Sequence, residues 1–162
     1  MTTVYLSIGS NIEREHHIRL GISALKKHFG ELTLSSVYES AAVGFEGDAF
    51  LNLIATFDTK LEPKVVNNVL TQIEKQNGRT AEQKKFNPRT LDLDMLLYGD
   101  FISKNQSLNI PRDEITQYPF VLEPLAEIAG NLLHPVLQTS YADLWRDFDK
   151  HELAQQKVSF GF

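Results

Sequence analysis

The hydrophobic and polar positions at the start of the chain predict a strand followed by a helix. Val4 to Ile8 is rich in β-branched and aromatic residues and is followed by Gly9, which is typical of a buried strand. From Ile18 to Phe29, apolar residues recur at spacings of three and four, which predicts an amphipathic helix. Gly30 stands where a C-cap glycine would end that helix.

The pattern continues with two strands, a second helix and another strand. Leu32 to Val43 and Phe50 to Thr59 predict two strands, and a helix is expected to begin near Pro63 and to end at Gly78. Leu91 to Tyr98 predicts the next strand. The order strand, helix, strand, strand, helix, strand is typical of a ferredoxin-like βαββαβ unit, so we expect an α+β fold.

The last part of the chain predicts additional C-terminal helices. Pro119 to Ala129 and Tyr141 to Phe148 have the pattern of short helices, and the residues after about Glu152 predict a frayed terminus. A chain of 162 residues is close to the commonest domain size. We therefore expect residues 1–162 to form a single domain.

Composition limits the classes of protein to which the chain can belong. It has no cysteine, which excludes a disulfide framework, a thiolate zinc site and a cysteine nucleophile. Its formal net charge of −5 argues against a general nucleic-acid-binding protein. No apolar run reaches the roughly 20 residues that span a bilayer, and the N-terminus lacks the pattern of a secretory signal. We expect a cytoplasmic monomer that binds small molecules rather than nucleic acid or a membrane.

Two aspartates on the last predicted strand are the first candidates for chemistry. Because side chains alternate along a strand, Asp92 and Asp94 project from one face, roughly 6.5–7 Å apart at the backbone. Their oxygens can converge on hard cations such as Mg²⁺, and a pair of such ions can bracket a phosphoryl transfer. The alternative is a half-exposed strand with a solvated acidic face.

A cluster of cations precedes these aspartates and favours the metal interpretation. Arg79, Lys84, Lys85 and Arg89 lie close together in sequence, and Glu82 is the only opposing charge among them. The simpler interpretation is that these cations form salt bridges with the carboxylates. Alternatively, metal ions on the carboxylates bind a polyphosphate, and the arginines clamp its remaining oxygens with bidentate hydrogen bonds.

Four short segments together resemble one family of enzymes. They are PRTLDLD at Pro88 to Asp94, SIGSN at Ser7 to Asn11, FLN at Phe50 to Asn52 and FVLEPLAEIA at Phe120 to Ala129. In their order and spacing along the chain they resemble the hydroxymethyldihydropterin pyrophosphokinase family of folate biosynthesis. The resemblance implies a ferredoxin-like, three-layer α/β/α fold. It also implies transfer of a diphosphate from ATP to the hydroxymethyl group of 6-hydroxymethyl-7,8-dihydropterin, with release of AMP.

The same resemblance implies a metal and nucleotide site. Asp92 and Asp94 match the residues that hold two Mg²⁺, and Arg79 and Arg89 match loop arginines that contact the phosphates of ATP; these four are the expected catalytic residues. Glu74 matches a position near the nucleotide, although a solvated helix face explains it equally well. The expected nucleotide-binding residues are Glu74, Arg79, Lys84, Lys85, Arg89, Asn109 and Arg112.

A pterin site is implied as well. Phe50 and Phe120 match the positions that stack on the ring, and Asn52 matches an amide that reads its edge with a donor and an acceptor. Ser10 and Asn11 follow the first strand, and we expect them either to brace the metal-bearing strand or to cap the next helix. Another family segment offers the ring backbone groups and one hydroxyl, and its residues here are Ser40, Ala41 and Val43.

The segment from Ser107 to Tyr118 departs from the family pattern. Arg112 stands in place of the usual histidine, and Ser107 and Tyr118 stand where many relatives have arginine. These changes predict weaker ATP binding unless Arg112 replaces one lost charge. They also leave open a catalytically weak or silent paralogue, although retention of both aspartates and both loop arginines argues against it.

Two other function classes fit parts of the sequence. An RNA-binding module with a similar sheet would need a basic balance and an exposed aromatic strand motif, and the sequence has neither. A different metal-dependent nucleotide transferase with an Asp-x-Asp site would ordinarily need a larger nucleotide-binding domain than 162 residues supply. Pterin pyrophosphokinase activity is therefore the leading hypothesis.

Overall fold

The structure is a computed structural model that describes residues 1–41, 48–78, 90–151 and 155–162. Its strands are β1 (Thr2–Ser10), β2 (Thr33–Leu34), β3 (Val37–Ser40), β4 (Phe50–Thr59), β5 (Asp92–Tyr98), β6 (Ser103–Asn105), β7 (Leu108–Ile110) and β8 (Gln155–Val158). Its helices are α1 (Arg14–Phe29), α2 (Pro63–Gln76), α3 (Glu114–Gln117), α4 (Pro119–Ala129) and α5 (Tyr141–Asp147). Among the described parts of the chain, every helix is too short or too polar to span a bilayer.

One antiparallel sheet organises the fold, with strand order β5-β1-β4-β3-β8 and β2 added beside β4. Within it, Ser7 of β1 pairs with Ile54 of β4 on one side and with Asp94 of β5 on the other. Strands β6 and β7 form a separate two-stranded sheet. The sheet order therefore brings the SIGSN segment beside the aspartate-bearing strand, although the two are far apart in sequence.

Hydrophobic side chains pack on both faces of this sheet. On one face, Leu6 and Leu53 pack with buried residues of α1 and α2. On the other face, Ile54 and Leu97 pack with buried residues of α4 and α5. Because side chains alternate along a strand, the neighbours Leu53 and Ile54 belong to different cores. Burial of each such side chain stabilises the fold by about 1.5–3 kcal/mol, and the result is a mixed α/β protein with an antiparallel sheet.

An extra residue in β5 ends the alternation immediately after the two aspartates. Leu6 pairs with Met95 and Tyr5 pairs with Leu97, so Leu96 is a β-bulge. Leu96 and Leu97 consequently both belong to the core of α4 and α5, whereas Met95 belongs to the core of α1 and α2.

The predicted bounds are confirmed for several elements. β4 and α4 begin and end at the predicted residues, and α2 begins at Pro63. Gly30 and Gly78, which follow α1 and α2, both have a φ of 84°. Glycine adopts this left-handed conformation without the steric cost that a Cβ imposes, which explains why both helices end there.

The predicted continuous strand from Leu32 is wrong, because Ser35 and Ser36 separate β2 from β3. Ser35 donates its backbone N–H to the carbonyl of Ile54 at 2.9 Å, and its hydroxyl accepts the Ile54 N–H at 2.8 Å. The Ser35 side chain thus replaces one backbone partner of β4. This competition between a short polar side chain and the sheet ladder is characteristic of serine.

The prediction of a frayed terminus is also wrong, because residues 155–158 form β8 and pair with β3. Val158 is opposite Val37, and Phe160 packs partly buried against the core of α1 and α2. The guanidinium of Arg19 lies over the Phe160 ring, 4.6 Å from its centroid. A four-residue strand has too short a pattern to be identified from sequence, and its stability comes from these tertiary contacts.

Candidate active site

A cleft opens where β1, β4 and β5 face the start of α4, and it contains about 640 Å³ of empty space, open solvent at its mouth included. It has a carboxylate side, formed by Asp92, Asp94 and Glu114, and an aromatic side, formed by Ser40, Ala41, Phe50, Asn52 and Phe120. The other lining residues are Ser7, Gly9, Leu96, Tyr118 and Val121. Residues predicted for metal and for pterin therefore meet in one cleft.

The sheet register fixes the positions of the two aspartates. Asp92 is opposite Gly9 and Asp94 is opposite Ser7, so both carboxylates project over β1 as the alternation predicted. A Cβ on Gly9 would lie 2.7 Å from the Oδ1 of Asn52, so a larger residue would displace that amide. Because Ser7 is small and Gly9 has no side chain, the floor of the cleft stays open between its two sides.

Arg112 connects the carboxylate side to the segment before α3. One of its Nη atoms lies 2.7 Å from Glu114 and 3.8 Å from Asp94, and its Nε donates to Glu114 at 2.9 Å. Burial lowers the pKa of Arg112, but the nearby carboxylates of Asp94, Glu114 and Asp92 outweigh burial and raise it. The guanidinium therefore stays charged beside the aspartates, where it can also reach an anionic ligand.

Two polar contacts brace the aspartate-bearing strand. The hydroxyl of Ser10 donates to the carbonyl of Thr90, the residue that lies two positions before Asp92. Ser10 bracing is thus confirmed, whereas the N-cap position of α1 belongs to Glu13. On the outer edge of β5, the carboxylate of Glu74 accepts the N–H of Leu93 at 2.8 Å.

Glu74 is buried, with 8% of its surface exposed, so the alternative of a solvated helix face is wrong. Burying a carboxylate is costly unless it is hydrogen-bonded, and the Leu93 N–H meets part of that requirement. Glu74 therefore fixes the strand from which Asp92 and Asp94 project.

Flat side chains and one amide form the aromatic side. Asn52 is buried and donates its amide to the hydroxyl of Ser40 at 3.3 Å, across the β3–β4 pair. The rings of Tyr118 and Phe120 are stacked, with centroids 5.1 Å apart. Phe50 lies at the start of β4, opposite Ser40. This side offers ring faces and an edge-reading amide to a flat heterocycle.

A family model described as 7,8-dihydro-6-hydroxymethylpterin-pyrophosphokinase matches residues 5–130. The chain belongs to this family. Curated relatives include two enzymes named 2-amino-4-hydroxy-6-hydroxymethyldihydropteridine pyrophosphokinase. The one from Aquifex aeolicus is 37% identical over 84% of this chain and 86% of its own. The one from Haemophilus influenzae is 35% identical over 94% of this chain and 97% of its own.

Longer proteins contain the same fold as one part. The Plasmodium falciparum HPPK-DHPS structure with pteroate has a TM-score of 0.78 at 14% identity, over 97% of this chain and 46% of that chain. The folic acid synthesis protein of Pneumocystis carinii is 35% identical over 93% of this chain but only 20% of its own length. This pyrophosphokinase-family chain therefore spans less than half of these longer relatives.

Several residues expected from the family pattern are not part of the described cleft lining. Asn109 lies on β7, where its amide donates to Asp113 at 3.4 Å. Arg112 contacts a lining residue, Asp94, without being one itself. Five others lie outside the described residues: Val43, Arg79, Lys84, Lys85 and Arg89.

Several residues that line this pyrophosphokinase-family cleft, above all Glu114 and Tyr118, are not predicted from the sequence. Both lie on or beside a four-residue helix, α3, whose position depends on tertiary packing of Ile115 in the core of α4 and α5. Ser7 could have been predicted to line the cleft, because it lies two positions before Gly9 and therefore on the same face of β1.

Proposed function

We propose that this cleft transfers the diphosphate of ATP to the hydroxymethyl group of 6-hydroxymethyl-7,8-dihydropterin and releases AMP. The observation that carries the proposal is that two adjacent carboxylates and a set of ring-binding residues line the same cleft. Family membership supports it independently. The hydroxymethyl oxygen forms a bond to the β-phosphorus, the bond from that phosphorus to the AMP oxygen breaks, and the hydroxyl proton leaves.

The carboxylate side is the proposed site of two Mg²⁺ ions, held by Asp92 and Asp94. The donor set fits, because carboxylate oxygens are the ligands that Mg²⁺ prefers and this ion usually keeps positions for substrate phosphates. When bound, the ions neutralise the charge of the triphosphate.

The nucleotide is proposed to bind between the carboxylate side and the cations around it. Arg112 is the described cation closest to Asp94, and its planar fork suits bidentate contact with phosphate oxygens. Glu74 contributes by holding β5 in place. The remaining proposed contacts are Asn109, together with Arg79, Lys84, Lys85 and Arg89 of the segment that precedes β5 in sequence.

The pterin is proposed to lie on the aromatic side, with Phe50 and Phe120 against its faces. Asn52 would read its edge, because an amide offers both a donor and an acceptor and the Ser40 hydroxyl orients this one. Ala41 and Val43 complete the proposed set through their backbone groups. Enclosure of a flat polar ring by two aromatic side chains, with few convergent polar groups, is typical of small-molecule sites.

We further propose that the fold is the ferredoxin-like, three-layer α/β/α arrangement. The strand order β5-β1-β4-β3 supports it, because the four strands of the βαββαβ unit are neighbours in one antiparallel sheet. The segregation of α1 and α2 from α4 and α5 into two different cores supports the layers. A cytoplasmic monomer stays a prediction.

The direct test is incubation of the protein with the hydroxymethyldihydropterin, ATP and Mg²⁺, followed by separation of the nucleotides. Formation of AMP with an equal amount of pterin diphosphate is expected, because attack at the β-phosphorus expels AMP. Formation of ADP would mean ordinary phosphoryl transfer at the γ-phosphorus. No product at all would support the silent-paralogue alternative and overturn the proposal.

A further inference from the structure

Arg14, the first residue of α1, joins the strands of the aromatic side from outside the cleft. One of its Nη atoms lies 2.6 Å from the carboxylate of Glu39 on β3. The other donates at 2.9 Å to the carbonyl of Ala49, the residue before β4. We propose that Arg14 is a positioning residue that sets the geometry of the pterin-binding side. This inference rests on the proposed function.

The two anchor points lie at the end of the β3–β4 pair that carries the ring-binding residues. Ser40 is opposite Phe50 in the last described pair of these strands, and Glu39 is opposite Leu51. Glu39 and Ala49 are therefore the immediate neighbours of Ser40 and Phe50 in sequence. A change in the distance between the two anchors moves both cleft residues, because each is only one peptide unit away.

Arg14 acts from the face of the sheet opposite the cleft. Leu51, the partner of Glu39, packs in the core of α1 and α2, whereas Ser40 and Phe50 line the cleft. Because side chains alternate along a strand, the Glu39 carboxylate points away from the cleft. Arg14 is thus placed to influence pterin binding only through the backbone, which distinguishes it from a binding residue.

A second contact supports the same connection. The side-chain amide of Asn11 donates at 3.2 Å to the carbonyl of Asp48, next to Ala49. The segment that leads from β1 into α1 therefore holds the start of β4 at two successive carbonyls. β1 also carries Gly9 in the cleft floor, so these contacts fix the aromatic side relative to the floor.

The chemistry of the side chain explains why arginine suits this position. A guanidinium presents several N–H groups in a fixed plane, so it can bond a carboxylate and a carbonyl at the same time. A lysine at this position would keep the charge opposite Glu39 but has no such fork. We therefore expect Arg14→Lys to keep the pterin-binding side only partly in position.

The test compares Arg14→Met with Arg19→Met in the full-length protein. Arg19 lies on the same helix and has the same charge, but it contacts Phe160 and the carbonyl of Gly161. For Arg14→Met we expect the KM for pterin to rise about three- to tenfold, since the loss of a charged hydrogen bond and a half-exposed ion pair has that size. The KM for ATP and the kcat should change less than about twofold. Arg19→Met should leave both KM values unchanged.

Four results would overturn the inference. An unchanged KM for pterin in Arg14→Met would show that the contacts of Arg14 do not set the geometry of the pterin-binding side. An equal rise in both KM values, or a rise in Arg19→Met as well, would show a general structural effect. If Arg14→Met does not fold, Glu39→Gln and Arg14→Lys provide the same comparison, and normal pterin KM values in both would contradict the proposal. Failure of the wild-type protein to form AMP would instead contradict the proposed function.

Discussion

The two sides of the cleft are built on different physical principles. On the carboxylate side, the guanidinium of Arg112 lies among the carboxylates of Asp92, Asp94 and Glu114. A buried hydrogen bond from β5 to Glu74 holds the strand that carries the two aspartates. On the aromatic side, ring faces and one amide offer shape, and contacts from outside the cleft hold the strands. In the proposed reaction, charge interactions at the reacting atoms control the rate, whereas shape controls binding of the pterin ring. Variants of the two sides should therefore separate turnover from pterin affinity.

The largest effect is expected for Asp94→Asn. Loss of one proposed metal ligand should lower kcat by on the order of 10²-fold or more, comparable to removal of a key transition-state group. Thermal stability should be nearly unchanged, because the side chain is partly exposed on the cleft face. Steady-state kinetics and a melting curve measure both quantities. Asp100→Asn, an exposed aspartate after the same strand, is the matched control, and a fully active Asp94→Asn enzyme would contradict the metal assignment.

The next effect concerns the aromatic side. Phe120→Ala removes a proposed stacking face, so the KM for pterin should rise about tenfold or more while the KM for ATP stays within about twofold. Phe101→Ala serves as the control, because Phe101 is exposed and does not line the cleft. If Phe120→Ala raised the KM for ATP as strongly as the KM for pterin, the two sides would not be separate binding surfaces.

Arg112→Ala is expected to change the KM for ATP rather than the KM for pterin, and by a smaller factor than Phe120→Ala changes the KM for pterin. Removal of this guanidinium should raise the KM for ATP up to about tenfold and leave the KM for pterin unchanged, because one charged phosphate contact is lost. Arg146→Ala, an exposed arginine on α5, controls for the loss of charge. An unchanged ATP requirement would show that Arg112 does not replace the cations that relatives have in this segment.

The smallest effect concerns the contact between α4 and β3. Glu127 accepts hydrogen bonds from the Tyr38 hydroxyl at 2.6 Å and from the Ser36 N–H at 3.0 Å. Burial raises the pKa of Glu127, but these hydrogen bonds outweigh it and lower the pKa below the ordinary value. A lowered folded-state pKa stabilises the protein above the unfolded pKa, and this stabilisation is lost as pH falls through the folded pKa.

We therefore expect Glu127→Gln to lower the Tm at pH 7 by at most about 4 °C, since Glu127 is exposed and solvent screens its charge. The difference from the wild-type Tm should shrink as the pH falls below the ordinary glutamate range. Glu15→Gln, an exposed residue on α1, is the control in melting curves at both pH values. A difference that grew in acid would contradict this sign.

The parts of the molecule that depend on local sequence pattern were predictable from the sequence. The bounds of β4 and α4 agree with those predicted from the sequence pattern, and Pro63 begins α2 as predicted. The placement of Asp92 and Asp94 on one face followed from strand alternation alone. These features depend on residues close in sequence, so no knowledge of tertiary contacts was needed.

The parts that were missed depend on contacts between distant segments. Glu114 reaches the cleft because α3 packs against the core of α4 and α5. Strand β8 forms because it pairs with β3. The break between β2 and β3 depends on Ser35 competing for the backbone of Ile54. The connection of Arg14 to Glu39 likewise joins residues that no local pattern relates.

We propose that Asp92 and Asp94 bind divalent cations for a triphosphate that faces the pterin across the cleft. The most direct measurement is a crystal structure with Mg²⁺, a non-hydrolysable ATP analogue and the pterin. We predict Mg²⁺ about 2.0–2.1 Å from oxygens of both aspartates, with the analogue's phosphates on the same ions and the ring between Phe50 and Phe120. A structure in which the aspartates form only salt bridges to arginine, with the nucleotide bound elsewhere, would contradict the account.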